Sequence, residues 1–216
     1  MVGIAAGMGM FALTATAVNA GRTQAFDRRI LLAMRRPGDL ALAGPPAFQE
    51  AARDVTALGS LAVLGLVTAI ACGFLALDGK THMALFVCLS VVGGLTASSL
   101  LNDVFQRPRP DLVPHATYVS GASFPSGHSM MSAVTFLTLG VLLAGSQQRR
   151  RLKAYFLLLA MLLTVIVGLS RVYLRVHWPT DVLAGWTAGA VWALVCWLAA
   201  RWLQSRGALE PECAEA

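Results

Sequence analysis

Residues 154–170 read AYFLLLAMLLTVIVGLS, a run without a single charge, and SRVYLRVHWPTD follows at once over 170–181. A bilayer core about 30 Å thick is crossed by roughly 20 apolar residues in a helix, so the first run reads as a membrane span. Uncharged windows of similar length lie at about 1–21, 55–77, 83–101, 129–148 and 182–200. Each is bounded by charge, proline or a polar cluster, and none alternates as a strand would. The sequence therefore predicts an all-α fold: an integral-membrane six-helix bundle forming one membrane domain over residues 1–216. The last residues, 204–216, are expected to be a disordered tail. A signal peptide is the alternative for window 1–21, although a basic start and a clear cleavage site are missing.

Composition agrees: 56% of the 216 residues are hydrophobic, 13% are charged, and mean hydropathy is +0.65. A formal charge of +6 could suit nucleic acid, but the basic stripe or motif that nucleic acid needs is absent, and arginines between apolar windows suit anionic headgroups. The expected surroundings are the lipid bilayer, with no nucleic acid partner. Cys72, Cys88 and Cys196 lie inside apolar windows, where cysteine behaves as a small hydrophobe, and Cys213 lies in the expected tail. No disulfide framework is indicated.

Between the first two windows, Phe26, Ile30 and Met34 recur at helical spacing among Asp27, Arg28, Arg29, Arg35 and Arg36. An interfacial amphipathic helix fits. So does a solvated loop, because Gly38, Gly44, Pro45 and Pro46 interrupt the remainder. Six spans put 78–82 and 149–153 on the side of both termini, and 22–54, 102–128 and 171–181 on the other. Lysine and arginine divide almost evenly once four arginines of the polar motifs are set aside. The Arg149-Arg150-Arg151-Lys153 cluster then favours cytoplasmic termini.

All the polar motifs fall on the opposite side. NDVFQRPRP, 102–110, sets Arg107 and Arg109 between prolines that hold the segment out of a helix. Such arginines can fork phosphate oxygens or snorkel to headgroups. FPSGHS, 124–129, joins a first-turn proline to Ser126, Gly127 and His128 at a helix start, where free N–H groups and the dipole favour an anion. Capping alone would also explain the serine and glycine. In the third motif Pro179 starts a helix, and Asp181 is near enough in sequence to reach back to His177. Together these bring His128, His177, Asp181, Arg109 and Arg171 to one mouth of the bundle, supplying a phosphate cradle, a nucleophile with an orienting carboxylate, and a second imidazole to protonate a leaving oxygen. Zinc is the competing chemistry, but the arginines would repel a cation and neither HExxH nor a cysteine pair is present.

These motifs resemble the type 2 phosphatidic acid phosphatase family, integral-membrane relatives of the vanadium haloperoxidases. PSGH stands at Pro125–His128, and the family's Ser-Arg, five residues, His, three residues, Asp stands at Ser170, Arg171, His177 and Asp181. The family's first motif, Lys, six residues, Arg-Pro, puts its arginine on Arg109 and finds Asn102 where lysine belongs. Asparagine donates hydrogen bonds but carries no charge to offset a phosphoryl dianion.

The resemblance implies a membrane lipid phosphatase in which His177 attacks phosphorus to form a phosphohistidine, Asp181 orients it, and His128 protonates the leaving group. It implies that Arg109, Arg171, Ser126 and the Gly127 backbone hold the phosphate, with weaker roles for Asn102 and for Arg107 as a substitute charge. No metal or other cofactor is implied. Arg175 is expected to assist or, more simply, to snorkel. Phosphatidic acid, phosphatidylglycerol phosphate and undecaprenyl diphosphate all fit as substrates. A lipid phosphotransferase, a non-catalytic lipid-phosphate scaffold and a transporter are the alternatives. The expected location is a bacterial cytoplasmic membrane, with the site on its outer, periplasmic face.

Overall fold

The computed structural model describes residues 1–34, 42–110 and 121–210, which form eight helices and no strands. They are α1 (Val2–Asn19), α2 (Gln24–Ala33), α3 (Pro46–Ala57), α4 (Leu61–Leu77), α5 (Thr81–Phe105), α6 (Gly127–Gly145), α7 (Arg150–Tyr173) and α8 (Pro179–Ser205). Five of them, α1 and α5 to α8, are long and apolar enough to cross a bilayer, and the bent pair α3 and α4 makes a sixth. The six-span bundle read from the sequence is the architecture found.

Central in the bundle is α6, packed on α7 and α8 and touching α4 and α5. Its closeness to α8 rests on missing side chains. A Cβ at Gly189 would come within 2.5 Å of the Met130 carbonyl oxygen, and one at Gly185 within 2.7 Å of the Ser126 carbonyl oxygen. Small residues let two helix backbones approach where lipid supplies no hydrophobic drive for association. Met130, Met131, Val134 and Val167 fill the core beneath the polar end of the bundle.

The second span differs from its predicted 55–77 window. Residues 55–57 finish α3, and α4 starts after Ser60 at a bend of 51°. Ser60 caps α4 by accepting from the Val63 N–H at 3.3 Å. The third span also differs, since α5 continues to Phe105 and carries Asn102 and Asp103 within the helix. Pro108 disfavours helical backbone just beyond, and Gln106 closes α5 with a left-handed φ of 42°.

An α-helix does form after the first span, and Ile30 and Met34 of its expected apolar face pack partly buried against the bundle while Phe26 does not. Phe26 is 55% exposed, whereas Asp27 and Leu31, four residues apart, are buried against the bundle. Arg35, Arg36 and Gly38 lie outside the described residues. At the other end, packing reaches into the segment expected to be a tail: Leu209 is buried, and Glu210 accepts from the His82 and Met83 N–H groups at the start of α5. Burial alone would raise the Glu210 pKa, but these hydrogen bonds and the His82 ring outweigh it and bring it down to about 2. Residues 211–216, Cys213 among them, lie outside the described residues.

Candidate active site

Helix directions bring the ends of α1, α5 and α7 and the starts of α4, α6 and α8 to one end of the bundle, opposite the starts of α1 and α5. Backbone bonds tie the three polar motifs together there. The Ser123 N–H donates to the Arg107 carbonyl at 2.8 Å, and the Ser126 N–H donates to the Asp181 carbonyl at 3.0 Å. Phe124, fully buried, meets Phe105 edge-on at 4.8 Å between centroids and packs on Phe11, so the loop before α6 is pinned to α5 and α1. Such aromatic pairs add about 0.5–1.5 kcal/mol beyond area burial.

His177, only 2% exposed, sits between α7 and α8. Its Nδ1 lies 2.9 Å from the Ser123 carbonyl oxygen, and its Nε2 lies 3.1 Å from Arg109 Nη1. Guanidinium can only donate, so Nε2 must be the acceptor and Nδ1 carries the proton. The tautomer is therefore fixed with the lone pair on Nε2, beside an arginine. Burial is the main cause that lowers the His177 pKa to about 4, and Arg109 and Arg171 add to it against the opposing Asp181 charge. The ring is neutral at pH 7, as a nucleophile must be.

Asp181 does not make the direct bond to His177 expected from sequence. Its Oδ2 is 3.8 Å from Nδ1, beyond hydrogen-bond length. The carboxylate is fully buried and accepts instead from Ser123 Oγ, from the Trp178 N–H at 2.9 Å, and from Arg107 Nη1. Asp181 thus caps α8 and fixes Ser123, and the Ser123 carbonyl in turn aligns His177.

Arg107 is drawn into this support and away from the role of substitute phosphate ligand. Its guanidinium donates to Thr180 Oγ1 at 2.9 Å, to Asp181 and, at 2.8 Å, to Asp27 Oδ2. Two buried carboxylates already neutralise it. Arg109, two residues on along an extended segment, faces the other way, holding the Gly121 and Val176 carbonyls at 3.1 and 2.9 Å while reaching His177. Arg171, 4% exposed at the end of α7, donates to Thr56 Oγ1 at 3.2 Å, and its Nε has no hydrogen-bond partner. A buried guanidinium left partly unsatisfied is suited to an arriving anion. Arg175 is 3% exposed at a φ of 61°, so it does not snorkel into the interface.

Ser126 caps α6, so Pro125 lies just before the helix and not in its first turn. Its buried hydroxyl accepts from Ser129 Oγ at 2.9 Å. Gly127 and His128 line a cavity of about 470 Å³ together with Ser98, Asn102 and Asp103 of α5. The His128 ring has no hydrogen-bond partner among the described residues, whereas the Asn102 amide donates to the Ser98 carbonyl at 3.0 Å. Among the described residues, no three His, Cys, Asp or Glu side chains are grouped as a metal site. Sequence reasoning missed Ser123, Thr56, Thr180 and Asp27. Only Asp27 carried a signal, a carboxylate in register with Leu31 on a helix otherwise rich in arginine.

The family model of the PAP2 superfamily matches residues 83–205, which contain His128, His177, Asp181, Arg109 and Arg171. The chain belongs to the PAP2 superfamily. Among PAP2 relatives, phosphatidylglycerophosphatase B of Bacillus subtilis is 31% identical over 181 residues, covering 83% of this chain and 85% of that protein. An undecaprenyl-diphosphatase of Sulfolobus acidocaldarius is 32% identical over 117 residues, about half of each chain: 52% of this one and 50% of that one. The crystal structure of a transmembrane PAP2-type phosphatidylglycerolphosphate phosphatase from Bacillus subtilis superposes with a TM-score of 0.81 at 26% identity, covering 95% of this chain and 98% of that one. Aquifex aeolicus LpxE shares the fold of this chain, with a TM-score of 0.56 at 23% identity, over 72% of this chain and 88% of that one.

Proposed function

We propose that this PAP2 protein is a membrane lipid phosphatase that removes the terminal phosphate of a lipid phosphate through a phosphohistidine on His177. The carrying observation is the His177 ring itself: Nδ1–H committed to the Ser123 carbonyl and the Nε2 lone pair facing Arg109. An arriving phosphate offers Arg109 a better acceptor than imidazole, which frees Nε2 for in-line attack. Arg109, Arg171 and the Gly127 backbone then hold the equatorial oxygens, where stabilisation of phosphoryl transfer is concentrated. The P–O bond to the lipid breaks as the N–P bond forms, and His128 gives the leaving oxygen a proton. Water then attacks phosphorus, giving a proton to His128 as the N–P bond breaks, which releases inorganic phosphate and restores both histidines. None of these steps calls on a metal.

The substrate classes named for the relatives, phosphatidylglycerol phosphate and undecaprenyl diphosphate, both suit a site at the mouth of a bundle with lipid around it. Cytoplasmic termini, favoured by the basic 149–153 loop, put the mouth on the outer face of the membrane. Asn102 favours one second reading, a scaffold that binds lipid phosphate without turnover. Purified protein in detergent, given radiolabelled lipid phosphate with and without chelator and quenched in alkali, distinguishes them. Phosphate release insensitive to chelator, with an alkali-stable, acid-labile label that disappears in His177→Ala, is expected. Binding without release would establish the scaffold instead.

A further inference from the structure

We propose that the cavity beside His128 makes this enzyme selective for lipid monophosphates over lipid diphosphates, with Asn102 and Asp103 as the selecting residues. The inference rests on the phosphatase reading above, since it concerns the group that leaves. In-line displacement puts the leaving oxygen opposite His177. His128 lines the cavity of about 470 Å³, so the leaving group lies within that space. In a monophosphate the atom beyond the leaving oxygen is carbon, and the product is an uncharged alcohol. In a diphosphate it is a second phosphorus, and the product is a lipid monophosphate that takes away both the bridging oxygen and a negative charge.

The walls of the cavity suit the first case. Leu61, Leu95 and Met131 supply apolar surface, and Ser98 and Ser99 supply hydroxyls. From α5 come an uncharged amide, Asn102, and an exposed carboxylate, Asp103, that has no hydrogen bond or ion pair among the described residues. Among the described residues, no lysine or arginine lines it. The nearby cations are committed elsewhere: Arg107 bonds Asp27 and Asp181, Arg109 reaches His177 and Arg171 bonds Thr56, the two arginines that the phosphatase reading gives to the attacked phosphate. A second phosphate would therefore meet a like charge with no lysine or arginine beside it among the described residues of the cavity wall, a penalty of roughly tenfold for two charges separated by several ångströms of wet, partly screened space.

The test uses one tail with two headgroups, dioleoyl phosphatidic acid and dioleoylglycerol diphosphate, presented to the purified full chain in the same mixed micelles. Release of the first phosphate from each gives a kcat/KM ratio on one preparation, so any loss of folded enzyme in a variant cancels. The wild type should favour the monophosphate about tenfold. Asp103→Asn should narrow that ratio several-fold, Asn102→Lys combined with Asp103→Asn should narrow it further, and added salt should narrow the wild-type ratio. Equal or faster release from the diphosphate overturns the selectivity and leaves the phosphatase reading standing, as does a ratio that Asp103→Asn leaves unmoved. Release from neither lipid overturns both.

Discussion

Asp27 Oδ2 accepts a hydrogen bond from Arg107 Nη2 at 2.8 Å, joining the short helix after the first span to the segment that carries Arg109. The same oxygen accepts from Thr180 Oγ1 at 2.8 Å, and Asp27 Oδ1 accepts from the Thr180 N–H at 3.1 Å, at the start of α8. One buried carboxylate thus fixes both elements that flank His177. Asp27→Ala leaves Arg107 and Thr180 short of a partner, and breaking a buried pair costs about 3 kcal/mol or more. We expect a large drop in thermal stability in detergent and at least a tenfold loss of phosphate release, with Asp27→Asn recovering part of both. An unchanged melting temperature in Asp27→Ala would remove this structural role.

The buried neutral state of His177 gives stability a pH signature. Its pKa falls from the ordinary 6.5 to about 4, so the unfolded chain binds more protons throughout that interval. Its contribution is therefore fully present above pH 6.5 and is lost as pH falls towards about 4. Stability is a cleaner readout than rate, because a phosphate substrate itself titrates near pH 6. Thermal unfolding from pH 7.5 to 4 should show a downward slope for the wild type and a shallower one for His177→Gln. Equal slopes would mean that His177 is not buried in its neutral form.

Much of the site was legible because its residues come in short motifs at helix ends, where spacing fixes position: His128 one residue inside α6, His177 and Asp181 across the start of α8. The partner of Asp181 was not legible. Arg107 and Arg109 are chemically alike and two residues apart, and only the path of the extended segment sends one to the carboxylates and the other to the imidazole. Asp27 bonds residues 80 and 153 positions away, a relation that no local periodicity encodes. The break between α3 and α4 was hidden for another reason, since Gly59, the glycine that marks it, sits inside the uncharged 55–77 window.

Asn102 stands one helical turn beyond Ser98, with its amide bonded to the Ser98 carbonyl and its side chain at the cavity that His128 lines. Asn102→Lys exchanges that bond for an ammonium able to reach phosphate oxygens. We expect orthovanadate and inorganic phosphate to inhibit the variant at about tenfold lower concentration, a gain of about 1.4 kcal/mol, and turnover of lipid phosphate to rise. If neither inhibition nor turnover improves, the missing lysine does not limit this enzyme.

Gly59, at the bend between α3 and α4, tests how His128 is held. A Cβ there would lie 2.5 Å from Val167 Cγ1 and 3.3 Å from His128 Cδ2. Val167 is fully buried in the core and cannot retreat without moving α7. Gly59→Ala should therefore cost about 1–3 kcal/mol through overpacking and displace the His128 ring from its seat at the cavity. Loss of a proton donor matters most for a poor leaving group. Release from an alkyl lipid phosphate should fall more steeply than release from p-nitrophenyl phosphate, whose phenolate leaves without protonation. Since both rates come from one preparation, a common loss of folded protein cancels, and equal losses on the two substrates would show that Gly59 serves packing alone.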